Sequence, residues 1–420
     1  MSKQSIVNQY QQSSSVAQII KQLQQDKNHF QLSNLVGSSL SFVISETFKK
    51  VDKPYLLIFN DKEEAAYYLN DLEQLLGDKN VLFYPGSYRR PYIIDETDNA
   101  NVLLRSEVLN RVNSRKKPAI IVTYPTALFE KVVTKKELEK STLKVAVGEN
   151  LSLDFVNEVL FEYKFKRVDF VTEPGDFSVR GGIIDIFSFS NDEPYRIEFF
   201  GDEIDSIRTF DVETQLSKEK LKKVSIMPNV ENKTLQENRE SFIKYISSKT
   251  VIFAKNIDLL TGNLDKFFKK AEDAFQDLSK ELNHAKPSEL FCDGNFIKQQ
   301  IQDFTLVNFG NNQTNSTNDL IKFNIHPQPS FNKQFNLLIE NLNEYHKAGF
   351  TNYIFCANNQ QAKRFHDIFN DAEQEVHFET LVFPLYQGFV DVDQKLVCYT
   401  DHQIFERYHK FRLKNGYAKK

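Results

Sequence analysis

The chain has 420 residues, 40% hydrophobic and 26% charged; this is the balance of a folded globular protein and excludes wholesale disorder, and at roughly 100–200 residues per domain the length allows about two to four domains. Its 53 Lys and Arg against 57 Asp and Glu leave a formal net charge of −4, so nothing in the bulk charge supports a DNA-coating role. No apolar run approaches the roughly 20 residues of a membrane-spanning helix, and the N-terminus MSKQSIVNQYQQSSSVAQ lacks the apolar core of a signal peptide. Three widely spaced cysteines, Cys292, Cys356 and Cys398, argue against a disulfide framework or zinc cluster and fit a reducing cytoplasm.

Residues 1–33 are polar, with helical apolar spacing only at Val16, Ile19, Ile20 and Leu23. Three short apolar runs follow, Tyr55–Phe59, Val81–Tyr84 and Ala119–Thr123. Between them lie segments of helical spacing, through Ala65, Tyr68, Leu69, Leu72 and Leu76 and then Val102, Leu103, Val108, Leu109 and Val112. Buried strands alternating with amphipathic helices predict a doubly wound α/β domain over 34–125. From Leu143 to Phe210 the period changes to strands and turns, with one helix near Leu153–Tyr163. Gly175, Gly181-Gly182 and Gly201-Asp202 punctuate this stretch, which reads as a small antiparallel β-rich unit. Residues 213–309 return to helices, including Leu264–Leu282, and close on an apolar strand Thr305–Phe309.

Residues 310–332 are rich in Asn, Thr, Ser, Gln and Pro, which is linker chemistry and predicts a flexible, protease-sensitive segment. Beyond it, helices over Phe335–Tyr345 and Gln360–Phe369 alternate with strands over Asn352–Cys356, Val376–Phe383 and Lys395–Tyr399, a second small α/β domain. The stretch Arg407–Lys420 is basic and ends without a stop signal, as expected of a piece of a longer protein.

An α/β sheet invites a search for a phosphate-binding loop, which needs a glycine-rich turn after a strand, a Lys for the β/γ-phosphates and a Ser or Thr for magnesium. The candidate ahead of the first clear strand, Asn34–Ser41, has Gly37 but no second glycine and no Lys. The tempting acidic pair Asp95-Glu96 follows Pro91 and reads as a solvated turn. ATP binding is therefore not expected. Arg180-Gly181-Gly182 reads as a tight hairpin turn rather than a phosphate nest, and Asp185, between Ile184 and Ile186, as an outward strand residue rather than a metal ligand. Arg89-Arg90 and Arg115-Lys116-Lys117 read as solvated loop charge, with a phosphate contact as the minor alternative. No histidine pair has metal-ligand spacing and no nucleophile elbow is present, so catalysis has no candidate.

The hairpin Tyr195–Phe210 is more informative. Alternation puts Tyr195, Ile197 and Phe199 on one face and Arg196, Glu198 and Phe200 on the other. An aromatic beside an Arg on a sheet surface is the composition of a protein–protein hot spot; the same pattern also fits a Phe200 that folds over the hairpin's end.

The stretches Asp169–Phe187 (DFVTEPGDFSVRGGIIDIF), Pro194–Asp211 (PYRIEFFGDEIDSIRTFD), Val212–Gln215 and Thr400–His409 (TDHQIFERYH) resemble the N-terminal region of the bacterial transcription-repair coupling factors (Mfd). The excision-repair protein UvrB shares the first three-domain module, and the Thr400–His409 segment favours the coupling factors. The resemblance implies a degenerate helicase-like α/β domain whose first part is 1–125, an inserted UvrA-binding domain at 126–212, and the remainder of the UvrB-like module at 213–318. A linker at 319–332 and a small α/β domain with a basic tail at 333–420 would complete the chain. It further implies a non-catalytic adaptor that recruits UvrA to stalled RNA polymerase for nucleotide excision repair, with Arg180, Arg196 and Phe200 at the contact. By the same resemblance this fragment takes no cofactor. ATP, magnesium, RNA polymerase and double-stranded DNA would be engaged by translocase domains farther along. A further partner would be the C-terminal domains of its own full-length chain, and no membrane is involved. Two other readings stand beside it: a UvrB-like ATP-dependent DNA-remodelling protein, and a purely intramolecular regulatory module.

Overall fold

A computed structural model describes residues 3–87, 99–114, 117–191, 193–229, 238–276, 285–310, 320–372 and 375–408. Arg89-Arg90, Asp95-Glu96, Arg115-Lys116, residues 311–319 and the tail from His409 lie outside them.

The apolar runs form the centre of a seven-stranded, wholly parallel sheet. Its order is Leu320–Lys322, His29–Ser33, Thr305–Phe309, Val251–Ala254, Tyr55–Ile58, Ile120–Thr123, Val81–Tyr84. The four strands Tyr55–Ile58, Val81–Tyr84, Ile120–Thr123 and Val251–Ala254 are buried along their whole length, as parallel strands covered on both faces must be. Local chemistry sets the helix ends between them. Asp61 accepts the Glu64 N–H at 2.9 Å to start the helix Lys62–Leu76, Glu63 and Glu64 sit in its positive first turn, and Gly77 at φ +83° ends it. The result is a mixed α/β architecture built on a parallel sheet covered by helices.

Two strands of this sheet depart from the expectation. His29–Ser33 buries only Phe30 and Leu32 between polar neighbours, too short an alternation to stand out within a polar N-terminus. Leu320–Lys322 pairs with it from the polar segment expected to be a linker, in register Gln31↔Leu320. Two residues later Ile325–Pro327 pairs antiparallel with Phe389–Asp391 in another sheet. Residues 320–332 therefore do not form a free linker: backbone pairing and burial of Ile321, Phe323, Ile325 and Phe331 order them despite their polar composition.

The inserted unit carries a six-stranded sheet, ordered Ser217–Leu221, Glu203–Phe210, Tyr195–Phe200, Ile183–Ile186, Asp176–Arg180, Lys166–Arg167. Lys223–Ile226 pairs with Leu143–Ala146 beside it, and its separate core includes Val156, Leu160, Phe177, Ile184, Ile197 and Ile207. The expected limits of 126–212 are displaced. Leu128, Phe129, Val132 and Leu138 pack in the core of the parallel sheet. At the other end Asp211 Oδ1 accepts the Glu213 and Thr214 N–H groups at 3.1 and 2.9 Å, making a tight turn that returns the chain to the sheet rather than an exit from it.

The last unit is a five-stranded mixed sheet, ordered Ile325–Pro327, Phe389–Asp391, Leu396–Thr400, Thr351–Cys356, Glu379–Val382. It is joined to the first sheet by the helix Lys3–Gln12, where the Tyr10 hydroxyl donates to Asp391 at 2.8 Å and the ring stacks on Phe42 at 5.4 Å. Cys292, Cys356 and Cys398 are all buried and unpaired. Among the described residues no helix is long and apolar enough to cross a membrane.

Candidate docking surface

The six-stranded sheet turns one face to its core and the other outward. Tyr195 and Ile197 are buried and Phe199 packs against the same core, whereas Arg196, Glu198 and Phe200 point away, as strand alternation requires. A register shift between Glu198 and Phe199 leaves Phe200 opposite Glu203 at the hairpin's end, with 83% of its surface exposed. It therefore does not fold back over the hairpin.

Pairing of Arg196 with Asp185 across the strands builds the charged part of this face. Arg196 Nε and Nη2 donate to the two Asp185 carboxylate oxygens at 2.7 and 2.9 Å, a bidentate fork, and Nη1 donates to the Gln215 carbonyl at 3.2 Å. The guanidinium lies 4.6 Å from the centre of the buried Phe210 ring. Arg180 donates to Asp185 from the neighbouring strand. Asp185 does face outward along its strand, but it is not solvated: two Arg side chains cover it and leave its side chain 1% exposed. Two cations on one anion leave a positive excess at the surface. Arg196, at 16% exposed, is held in place, while Arg180, at 45%, is available to a partner.

Around this cluster lie apolar groups. Phe170, 60% exposed, has the Arg180 guanidinium 5.7 Å from its ring centre. Leu216, next to the Gln215 carbonyl, is exposed as well. Glu198 is neutralised locally, taking donors from Arg208 and from Ser206 at 2.6 Å. Arg180-Gly181-Gly182 forms the tight turn between Asp176–Arg180 and Ile183–Ile186, with Gly181 at φ +60°. The turn brings Arg180 to the same end of the sheet as Phe200, since the Phe199 N–H bonds the Gly182 carbonyl at 2.8 Å. The structure thus gathers Arg180, Arg196 and Phe200 onto one face. Sequence reasoning missed Asp185 as their anchor and Phe170 as a neighbour; the signal for the first was an acid facing an Arg across an unassigned strand pair.

The other candidate, Asn34–Ser41, does lie between a parallel strand and a helix N-terminus. Leu40 is buried in the core and Ser41 is occupied with Asp71, to which its hydroxyl donates at 3.3 Å. Among the described residues no cluster of three or more His, Cys, Asp or Glu side chains could hold a metal ion.

A family model described as the UvrB interaction domain matches residues 143–231, which coincide with the unit built around the six-stranded sheet. The transcription-repair-coupling factor of Bacillus subtilis is 32% identical over 273 residues, covering 62% of this chain and 23% of that protein. That of Myxococcus xanthus is 28% identical over 264 residues, covering 60% and 22%. The UvrABC system protein B of Thermotoga neapolitana is 27% identical over 259 residues, covering 58% and 39%. The alignments thus span about a quarter of the length of these coupling factors, and less than half of the UvrB relative. With its parallel α/β sheet and a match to the UvrB interaction domain at 143–231, the chain is similar to the N-terminal region of the transcription-repair-coupling factors.

Proposed function

We propose that this chain is a non-catalytic docking module that recruits UvrA through the outer face of its six-stranded sheet. The observation that carries the reading is Phe200, a large aromatic presented to solvent beside an Arg pair ordered in advance by a buried carboxylate. An exposed ring and a pre-ordered guanidinium are the groups that dominate protein interfaces, and ordering before contact lowers the entropy cost of binding. In this reading Phe200 enters an apolar pocket on UvrA, Arg180 meets an acidic or carbonyl group at its rim, and Arg196 holds the platform on which both sit. The match to a UvrB interaction domain supports UvrA as the partner.

In the whole protein, this module would bring UvrA to a stalled RNA polymerase in the cytoplasm. An ATP- and magnesium-dependent translocase acting on double-stranded DNA would lie in other domains, and C-terminal domains of the same polypeptide would bind this module in turn. The lack of any lysine in Asn34–Ser41, with Leu40 packed into the core, supports the absence of ATP turnover here and weighs against the UvrB-like remodelling enzyme. Titrating purified UvrA with the 420-residue chain in a calorimeter tests the proposal, with ATPase activity followed on the same preparation with and without DNA. Saturable heat without turnover is expected; no binding, or appreciable turnover by the chain alone, would overturn it.

A further inference from the structure

The strand His29–Ser33, the turn over 34–38 and the helix Ser39–Lys50 form the unit in which a parallel-sheet fold ordinarily turns backbone N–H groups toward phosphate. In this chain the concavity is filled from within, by the turn Tyr386-Gln387-Gly388 of the five-stranded unit. The Gln387 carbonyl accepts the Ser38 N–H at 3.0 Å, and the Gln387 N–H donates to Ser38 Oγ at 3.0 Å. The Tyr386 N–H donates to Asp71 Oδ1 at 2.9 Å, while the other Asp71 oxygen takes the Ser41 hydroxyl at 3.3 Å. The Tyr386 ring stacks on Tyr67 with centres 4.1 Å apart.

Gly37 makes the fit possible. It has φ +56°, and a Cβ there would lie 2.9 Å from both the Gln387 and the Gly388 carbonyl oxygens. The donors that would serve a phosphate are therefore engaged elsewhere: the Ser38 N–H on a peptide carbonyl, and the Ser41 hydroxyl on a carboxylate.

We propose that the Tyr386-Gln387-Gly388 turn is a built-in plug that takes the place of phosphate in the degenerate loop and latches the five-stranded unit to the parallel sheet. The plug has complementary hydrogen bonds in both directions and a stacked aromatic at its shoulder, so it is a specific contact rather than a chance approach. Its seat is independent of the UvrA face, which lies in a unit with its own core.

Hydrogen exchange on the full chain tests the plug. Gly37→Ala should expel the turn and raise exchange at the Ser38, Tyr386 and Gln387 amides at least tenfold, with the six-stranded sheet unchanged. Gly77→Ala is the control, because Gly77 also has a positive φ, +83°, but no atom within 4 Å of its built Cβ. Its ψ of 150° puts it in a region that glycine alone adopts readily, so it carries a backbone strain of its own without the collision. Similar exchange patterns in the two variants would overturn the proposal. Should Gly37→Ala not fold, Ser38→Ala removes the hydroxyl that accepts from the Gln387 N–H and donates to Asp71, and leaves the glycine turn intact. Faster exchange at Gln387 supports the plug, and unchanged exchange overturns it.

Discussion

Truncating Phe200 to Ala separates a docking residue from a core residue, because the two roles predict opposite outcomes in stability and affinity. At 83% exposed, the ring is largely solvated in the free chain, so its loss should change folding stability by no more than about 0.5 kcal/mol. A core phenylalanine would cost about 3–5 kcal/mol on the same change. In a complex, removing roughly 100 Å² of the ring from water at about 25 cal/mol/Å² contributes ~2.5 kcal/mol. Allowing for losses on ordering, a weakening of about 2 kcal/mol, or thirtyfold, is expected for a central aromatic. Calorimetric titration against UvrA and a thermal melt must be run on the same preparation. A Phe200→Ala chain that unfolds, or that binds UvrA as tightly as the parent, would refute the reasoning. Arg196→Ala is a poorer test, since Arg196 also covers the buried Asp185, and its loss would weaken binding and folding together.

Three further outcomes follow from the same geometry. Asp185→Ala leaves Arg196 and Arg180 without their shared anion and, since both guanidiniums reach solvent, should cost about 1.5–3 kcal/mol in urea unfolding; near-parental stability would show that the ion cluster is not structural. Asp71 is buried beside Tyr68 and Tyr386, and loss of solvent pushes its carboxyl from 3.8 up to about 7 despite donors from Ser38, Tyr386 and Ser41. The folded state then holds the proton more tightly than the unfolded state. Its contribution is complete below about pH 4 and is lost as pH rises through about 7, by up to ~4 kcal/mol. Asp71→Asn should flatten the stability profile across that window, and an unchanged slope would contradict the assignment. Burial pushes the Cys292 and Cys356 thiols up to about 12, so thiol labelling of the native chain should be slow at neutral pH; rapid labelling of either would contradict the packing.

The parts of the fold that were legible in the sequence are those where one residue pattern decides the outcome. Tyr55–Ile58, Val81–Tyr84 and Ile120–Thr123 are apolar throughout because both faces of a parallel strand are covered, so their composition alone identifies them. Alternation through Tyr195–Phe200 likewise places Phe200 outward. His29–Ser33 and Leu320–Lys322 were illegible because each sends only one or two apolar side chains into the core, between polar neighbours, and owes the rest of its order to paired backbones. Asp185 looked solvated because a strand pattern shows which face a residue takes but not what lies over it. The turn Tyr386–Gly388 left even less trace. Its partners, Ser38 and Asp71, are more than 300 residues away in sequence, and the glycine at 37 is the one local sign of a close approach.

The most direct test of the docking account is a hydrogen-exchange footprint of the 420-residue chain with and without saturating UvrA. Protection is expected at Phe170, at the Arg180–Gly182 turn and at the Phe199–Glu203 end of the hairpin, with the Ser38 and Gln387 amides unaffected. Protection confined to the parallel sheet or to the five-stranded unit, with the outer face of the six-stranded sheet still exchanging freely, would contradict it.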